Sequence, residues 1–187
     1  KGPDGVASDS VMAMAAKTWN GEWWKTGGGA TPWDGILYDP QTDSVIFGTG
    51  NGAPWPAEVR SPGGGDNLFT ASIVSLDAKT GKYKWHYQTV PMDNFDFDNT
   101  SPLTTADLTI NGEKKHVVMQ IPKNGVFYVI EAATGKVISA QLAVPQANWL
   151  TGFDKSKNWA PILNPDANFG KTGKGWFVAP FQTHVWY

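Results

Sequence analysis

"LDAKTGKYKW", Leu76 to Trp85, is the stretch on which the fold turns. A run of small and apolar residues ends in an acid, x-x-Thr-Gly reverses the chain, and a run rich in aromatic residues leaves the other way. The turn has its own chemistry: the acid accepts turn N–H groups and the glycine takes the left-handed conformation. Two more stretches share the plan, "YDPQTDSVIFGTG" (Tyr38 to Gly50) and "IEAATGKVISAQL" (Ile130 to Leu142). Their acids stand at positions 39, 77 and 131, hence 38 and 54 residues apart. One copy alone is an ordinary hairpin turn. Three copies at that spacing, each with strand-like sequence on both sides, read as propeller blades and not as a helical solenoid.

Outward from the repeat, short runs of β-branched and aromatic residues predict strands in "SVIFGTG" (Ser44 to Gly50), "TASIVSLD" (Thr70 to Asp77) and "KYKWHYQT" (Lys82 to Thr89). The same holds for "KHVVMQIP" (Lys115 to Pro122), "GVFYVIEA" (Gly125 to Ala132) and "KVISAQLA" (Lys136 to Ala143). Asn-Gly pairs in "INGE" and "KNGV" predict hairpins. The one helical candidate is "SDSVMAMAAKTW", Ser8 to Trp19, with Ser8 as its cap. The segment from Gln146 to Lys174 is polar, with Asn, Pro and Gly, and predicts a long irregular excursion. Ten Trp and twenty-one Gly in 187 residues fit an all-β chain with many turns.

Those 187 residues suffice for a real core and predict one domain, or a piece of a larger one. A net charge of −2 supplies no attraction to nucleic acid or an anionic membrane. No run of eighteen apolar residues exists to span a bilayer. The start, "KGPDGVASDS", lacks both methionine and the pattern of a signal peptide, so a processed or cut chain is expected. With no cysteine, these residues hold no disulfide, thiolate metal site or covalent c-type haem, and the compartment stays open.

Four motifs carry possible chemistry. In "GGGATPWDG", Gly27 to Gly35, glycines permit close backbone approach and Trp33 offers a broad π-face, for packing or for a flat ligand. In "GTGNGAPW", Asn51 follows a strand between glycines, as a turn residue or as an amide ligand for a hard cation. In "DNFDFDNTSP", Asp93 to Pro102, acids alternate with phenylalanines. An extended segment would put Asp96 and Asp98 on one face, about 6.6–7 Å apart, and Phe95 and Phe97 on the other. Such a pair either lies in a solvated loop or shares a cation at about 2.3–2.6 Å; without one, repulsion would protonate one acid. In "PKNG", Lys123 is a hairpin residue or a cation facing developing negative charge.

"LDAKTGKYKW" resembles the tryptophan-docking motif, A-x-D-x-x-T-G-x-x-x-W, of the eight-bladed quinoprotein alcohol dehydrogenases, with Trp85 as the docking residue. The third copy departs from it, with Glu131 for Asp and Ser139 for Trp. "AAKTWNGEWWKTGGGATPWDGILYDP", "GTGNGAPWP", the acid stretch and "QIPKNGVFYVIEAATGKVISA" follow in the family's order and spacing, so the resemblance covers nearly the whole chain. It implies the central portion, residues 1–187, of a single all-β, eight-bladed propeller domain, with about three to four blades present.

The resemblance also implies roles. Trp33 would floor pyrroloquinoline quinone (PQQ), with Thr31 and Lys123 as further cofactor contacts. Asn51, Asp96 and Asp98 would hold the metal ion beside it. Asp96 would be the catalytic base, with Phe95 in place of the family's usual Trp, and Asp93 a turn or supporting residue. An acid at the place of Asp98 marks the lanthanide-dependent branch; calcium is the alternative. The charge argument agrees, since a trivalent ion needs one more negative ligand than a divalent one. The implied reaction oxidises a primary alcohol to an aldehyde, Asp96 taking the proton while a hydride passes to C5 of PQQ. A small alcohol is the implied substrate, and an electron acceptor such as a cytochrome c the implied partner. Periplasmic location and a homodimer also follow from the family, with no nucleic-acid partner and no membrane span. His184 and Trp186 are candidates to line the substrate cavity. His86 and His116 are read as ordinary face residues. A rival reading keeps the fold but not the chemistry: a propeller that has lost its cofactor and serves as an assembly or binding scaffold.

Overall fold

All three acid turns close through their own side chains. The computed structural model describes residues 6–33 and 35–167. In it, Asp77 Oδ1 accepts from the Thr80 N–H at 2.8 Å and from the Thr80 hydroxyl at 2.6 Å, and Gly81 is left-handed at φ 68°. Glu131 and Thr134 repeat the pairing, with Gly135 at φ 73°. Asp39 and Thr42 do so in the first copy, where Asp43, at φ 49°, takes the left-handed place that glycine holds elsewhere.

In chain order the strands are β1 (Gly28–Gly29), β2 (Leu37–Asp39), β3 (Ser44–Gly48), β4 (Gly52–Ala53), β5 (Ser72–Asp77) and β6 (Tyr83–Gln88). They continue with β7 (Thr104–Ile110), β8 (Glu113–Gln120), β9 (Val126–Glu131), β10 (Val137–Leu142), β11 (Leu150–Asp154) and β12 (Ala160–Leu163). Strands β2-β3-β5-β6 form one antiparallel four-stranded sheet and β7-β8-β9-β10 another. Each is a blade, with sequential neighbours paired. The six strands expected from composition are all present. Asn111 and Gly112, both at positive φ, turn β7 into β8 as the Asn-Gly signal requires.

The blades meet through Trp85. Its indole Nε1 donates to the Ala132 carbonyl at 2.9 Å, and a Cβ placed on Gly135 would lie 2.8 Å from the ring. Only glycine lets the indole lie that close to the backbone. Ile73, Val118, Tyr128, Ile130 and the wholly buried Trp149 continue the core between the sheets.

Some expectations need correction. Helix α1 (Ser10–Ala16) is shorter than the twelve-residue segment, and its cap is Asp9, which accepts from the Met12 N–H at 2.8 Å; Ser8 instead donates to Asp9. The stretch after Gln146 is not wholly irregular, since β11 and β12 pair as a hairpin whose turn uses Asn158 and Trp159 at positive φ. The described residues hold two complete four-stranded blades, the β1–β4 pair and that separate hairpin. Among them no helix is long and apolar enough to cross a membrane.

His116 is more than a face residue. On β8 of one blade, its Nε2 lies 3.0 Å from Asp39 Oδ1 on the other, and its Nδ1 lies 2.6 Å from Asp107 Oδ1. Partial burial pulls its pKa down, but the hydrogen bonds that Asp107 and Asp39 accept from it outweigh this and raise it above the ordinary histidine value. A raised folded pKa stabilises the fold fully below the unfolded value near 6.5, and the gain is lost as pH rises through the folded value. In urea titrations of the full-length protein, the wild type is expected to lose up to about 1 kcal/mol relative to His116→Gln on going from pH 6 to pH 9. A constant difference between the two across that window would show that the clasp does not depend on protonation.

Candidate active site

The acid loop between β6 and β7 is built around Asp93. Its Oδ1 accepts from the Phe95 N–H at 3.0 Å and the Phe97 N–H at 3.3 Å. The Phe95 and Phe97 rings lie 5.3 Å apart and both meet Trp149. The phenylalanines thus share a face, as the alternation predicted. The backbone is not an extended strand, however: Asp96 sits at φ 63°, in the left-handed region. Asp93 is wholly buried. Burial pushes its carboxyl up to about 6, against the lowering by the two N–H groups and the Arg60 charge.

Asp96 and Asp98 converge on Lys123. The ammonium lies 2.5 Å from Asp98 Oδ2 and 3.3 Å from Asp96 Oδ2, with little of any of the three side chains exposed. Burial draws the Lys123 pKa down, but the hydrogen bond and charge of Asp98, then those of Asp96, outweigh it and leave the group above its ordinary value. The cation that two neighbouring acids require is thus supplied by Lys123 itself. Two carboxylates against one ammonium still leave a net negative charge. Asp98 Oδ1 also accepts the Asn51 N–H at 2.7 Å, joining the "GTGNG" turn to the acid loop. The Asn51 Nδ2 donates to the Gly52 carbonyl, leaving Oδ1 as the amide's acceptor.

Trp33 joins them across Gly50. A Cβ there would lie 2.7 Å from Trp33 Nε1 and 3.1 Å from Asp98 Oδ1. The indole is half exposed, at 50%. Thr31 is exposed, and its carbonyl accepts the Gly50 N–H at 2.9 Å. The glycine run approaches protein backbone: β1 pairs with β4, and a Cβ on Gly29 would lie 2.3 Å from the Asn51 carbonyl. Trp33, Asn51, Asp96, Asp98 and Lys123 therefore form one cluster, with Thr31 on its rim. His184 and Trp186 lie outside the described residues.

Two supporting residues, Arg60 and Gln120, gave no sequence signal. Arg60, 1% exposed, donates to the carbonyls of Pro54, Trp55 and Asp93 and to Asn67 Oδ1. It braces the Asn51 turn against the acid loop. Gln120 donates from one amide to the carbonyls of Asn99 and Ser101, tying the same loop to the strand that leads to Lys123. Asn124 accepts at its carbonyl from Trp149 Nε1, so its turn is anchored in the core. The bonds from Arg60 to Asp93, from Gln120 to Asn99 and Ser101, and from Trp149 to Asn124 span 19 to 33 residues, beyond any local pattern.

The donor set fits a hard cation: two carboxylates and an amide oxygen beside a cationic group already held there. Among the described residues no group of three His, Cys, Asp or Glu could hold a metal. A cation taking six to eight oxygens would draw the rest from cofactor, water or other chain. The half-exposed indole, its edge against the acids' glycine, fits a flat aromatic cofactor laid on its face.

A family model described as "Glucose/ethanol/alcohol dehydrogenase, beta-propeller domain" matches residues 9–152. The quinone alcohol dehydrogenase, dehydrogenase subunit, of Komagataeibacter europaeus is 51% identical over 181 residues, 95% of this chain and 24% of that protein. The solved quinohemoprotein alcohol dehydrogenase ADHIIG of Pseudomonas putida superposes with a TM-score of 0.91 at 44% identity, over 96% of this chain and 26% of the other. A europium-containing methanol dehydrogenase superposes at 0.72 and 39% identity, over 80% of this chain and 25% of the other. The chain spans about a quarter of the length of these proteins.

Proposed function

We propose, from the premise that this chain belongs to the PQQ-dependent β-propeller family of glucose, ethanol and alcohol dehydrogenases, that it carries the catalytic base and metal ligands of an alcohol dehydrogenase. The observation behind this is the meeting of Asn51, Asp96, Asp98 and Lys123, brought from three separate segments to one point beside Trp33. Asp96 is the general base. It takes the hydroxyl proton of a small primary alcohol, and Lys123 favours its anionic form. Trp33 and Thr31 orient the cofactor, while Asn51, Asp96 and Asp98 hold the metal. When bound, PQQ and the metal supply the hydride acceptor and the Lewis acid. Lys123 also faces the negative charge that builds up during reduction. A cytochrome c would take the electrons, a choice the haem in the quinohemoprotein relative's name supports, and the periplasm is the setting that the family resemblance implies.

We assign the lanthanide type because Asp98 adds a second carboxylate to the donor set, and the europium-containing relative lends support. Calcium remains the rival metal. Reconstitution of the full-length protein with PQQ and either lanthanum or calcium tests both. Lanthanum is expected to support the higher turnover, and Asp98→Ala to lower it about ten- to a hundredfold. Equal activity with both metals, and no loss for Asp98→Ala with calcium, would reject the lanthanide assignment. No activity with either metal would favour the cofactor-free scaffold. That scaffold gains little from the buried Asp98–Lys123 pair, since such pairs contribute little net stability.

A further inference from the structure

Asp96 holds a left-handed backbone, φ 63°, which aspartate tolerates better than most side chains but adopts only as single residues. A left-handed φ is routine for glycine, and in other residues it persists where the surroundings over-determine it. Those surroundings are specific here. The residues on either side of Asp96 both direct their N–H groups to one oxygen, Asp93 Oδ1, at 3.0 and 3.3 Å. The rings of the same two residues are fixed on Trp149. Asp93 is itself fixed, because Arg60 Nη2 donates to its carbonyl at 2.7 Å from a wholly buried position. Asn94 is tied down as well, its Oδ1 accepting the Ala57 N–H at 2.6 Å. The chain from 93 to 97 is therefore a small closed loop with an acceptor at its centre and the base at its crest.

We propose that Asp93 is a positioning residue, whose side-chain oxygen clamps the two amides flanking Asp96 and thereby aims the base. The proposal rests on Asp96 being that base. It needs an oxygen acceptor at position 93 and not a negative charge, so asparagine should serve and alanine should not.

The test uses the full-length protein with PQQ and metal, comparing Asp93→Ala with Asp93→Asn. Asp93→Ala is expected to lower kcat about 10²-fold, with KM within about threefold of wild type, because misplacement of a reacting group by about 1 Å has an effect of that order. Asp93→Asn should recover most of the loss. Hydrogen exchange across residues 93–98, measured with and without cofactor, should quicken in Asp93→Ala and stay slow in Asp93→Asn. Unchanged kcat or unchanged exchange in Asp93→Ala overturns the proposal. So does an Asp93→Asn enzyme as impaired as Asp93→Ala, and this second variant decides the matter if the first does not fold. Asp96→Asn in parallel separates the two readings. If it turns over normally, the base assignment falls. If it is inactive while Asp93→Ala works normally, only the clamp falls.

Discussion

Replacing Asp96 by asparagine in the full-length protein is expected to lower kcat for alcohol oxidation by about 10²–10⁴-fold, the usual contribution of a general base. The substitution is nearly isosteric. Asparagine also accepts the left-handed backbone that Asp96 adopts, so the loop should keep its shape. It retains an amide oxygen for a hard cation. What it loses is the ability to take a proton. PQQ content and KM should therefore change little while turnover collapses. Activity within about tenfold of wild type, at full PQQ and metal content, would remove Asp96 from the base role, since base catalysis contributes at least about 10²-fold.

Trp85→Ala is expected to have the largest effect on stability. The indole is 5% exposed, packs against Gly135 and donates to the Ala132 carbonyl across the joint between blades. Removing a buried Trp costs about 3–5 kcal/mol where surroundings cannot collapse. The backbone on the other side of this joint is the tight turn between β9 and β10, closed by the Glu131–Thr134 bond, and has little freedom to fill the gap. The urea midpoint of the full-length protein should fall sharply, with Trp85→Phe between the two. A midpoint unchanged in Trp85→Ala would mean that the joint is held by other contacts.

The fold was legible in the sequence where its signals are local. The acid–Thr–Gly turns, the Asn-Gly hairpin at residues 111–112 and the apolar strands each declare themselves within a few residues. β7 did not. "TTADLTI" is polar and partly exposed along its length, so it carries no strong alternation. The β11–β12 hairpin was hidden by Gly152, Asn158 and Pro161, which read as loop residues although two of them lie within the paired strands. Of the candidate site, the residue types were readable and their meeting was not. Asp98 and Lys123 are 25 residues apart, Asn51 and Asp98 47, and nothing local reports that they touch. The family resemblance supplied that step. It did not supply Arg60, Gln120 or the His116 clasp, which are visible only when the blades are assembled.

The contact between Trp85 and Gly135 has a direction. One unit contributes the plug, and the next contributes the socket from its own turn glycine. A unit with the full motif carries both, so units can be added in series with the same geometry each time, and the series ends only by meeting its own beginning. Gly81 stands at the same place in the turn between β5 and β6. The copy at 130–142 has kept its socket and exchanged its plug for Ser139. Duplication of a unit can lengthen such a ring without inventing a new joint, while loss of one plug shifts its work to whatever else bridges that seam.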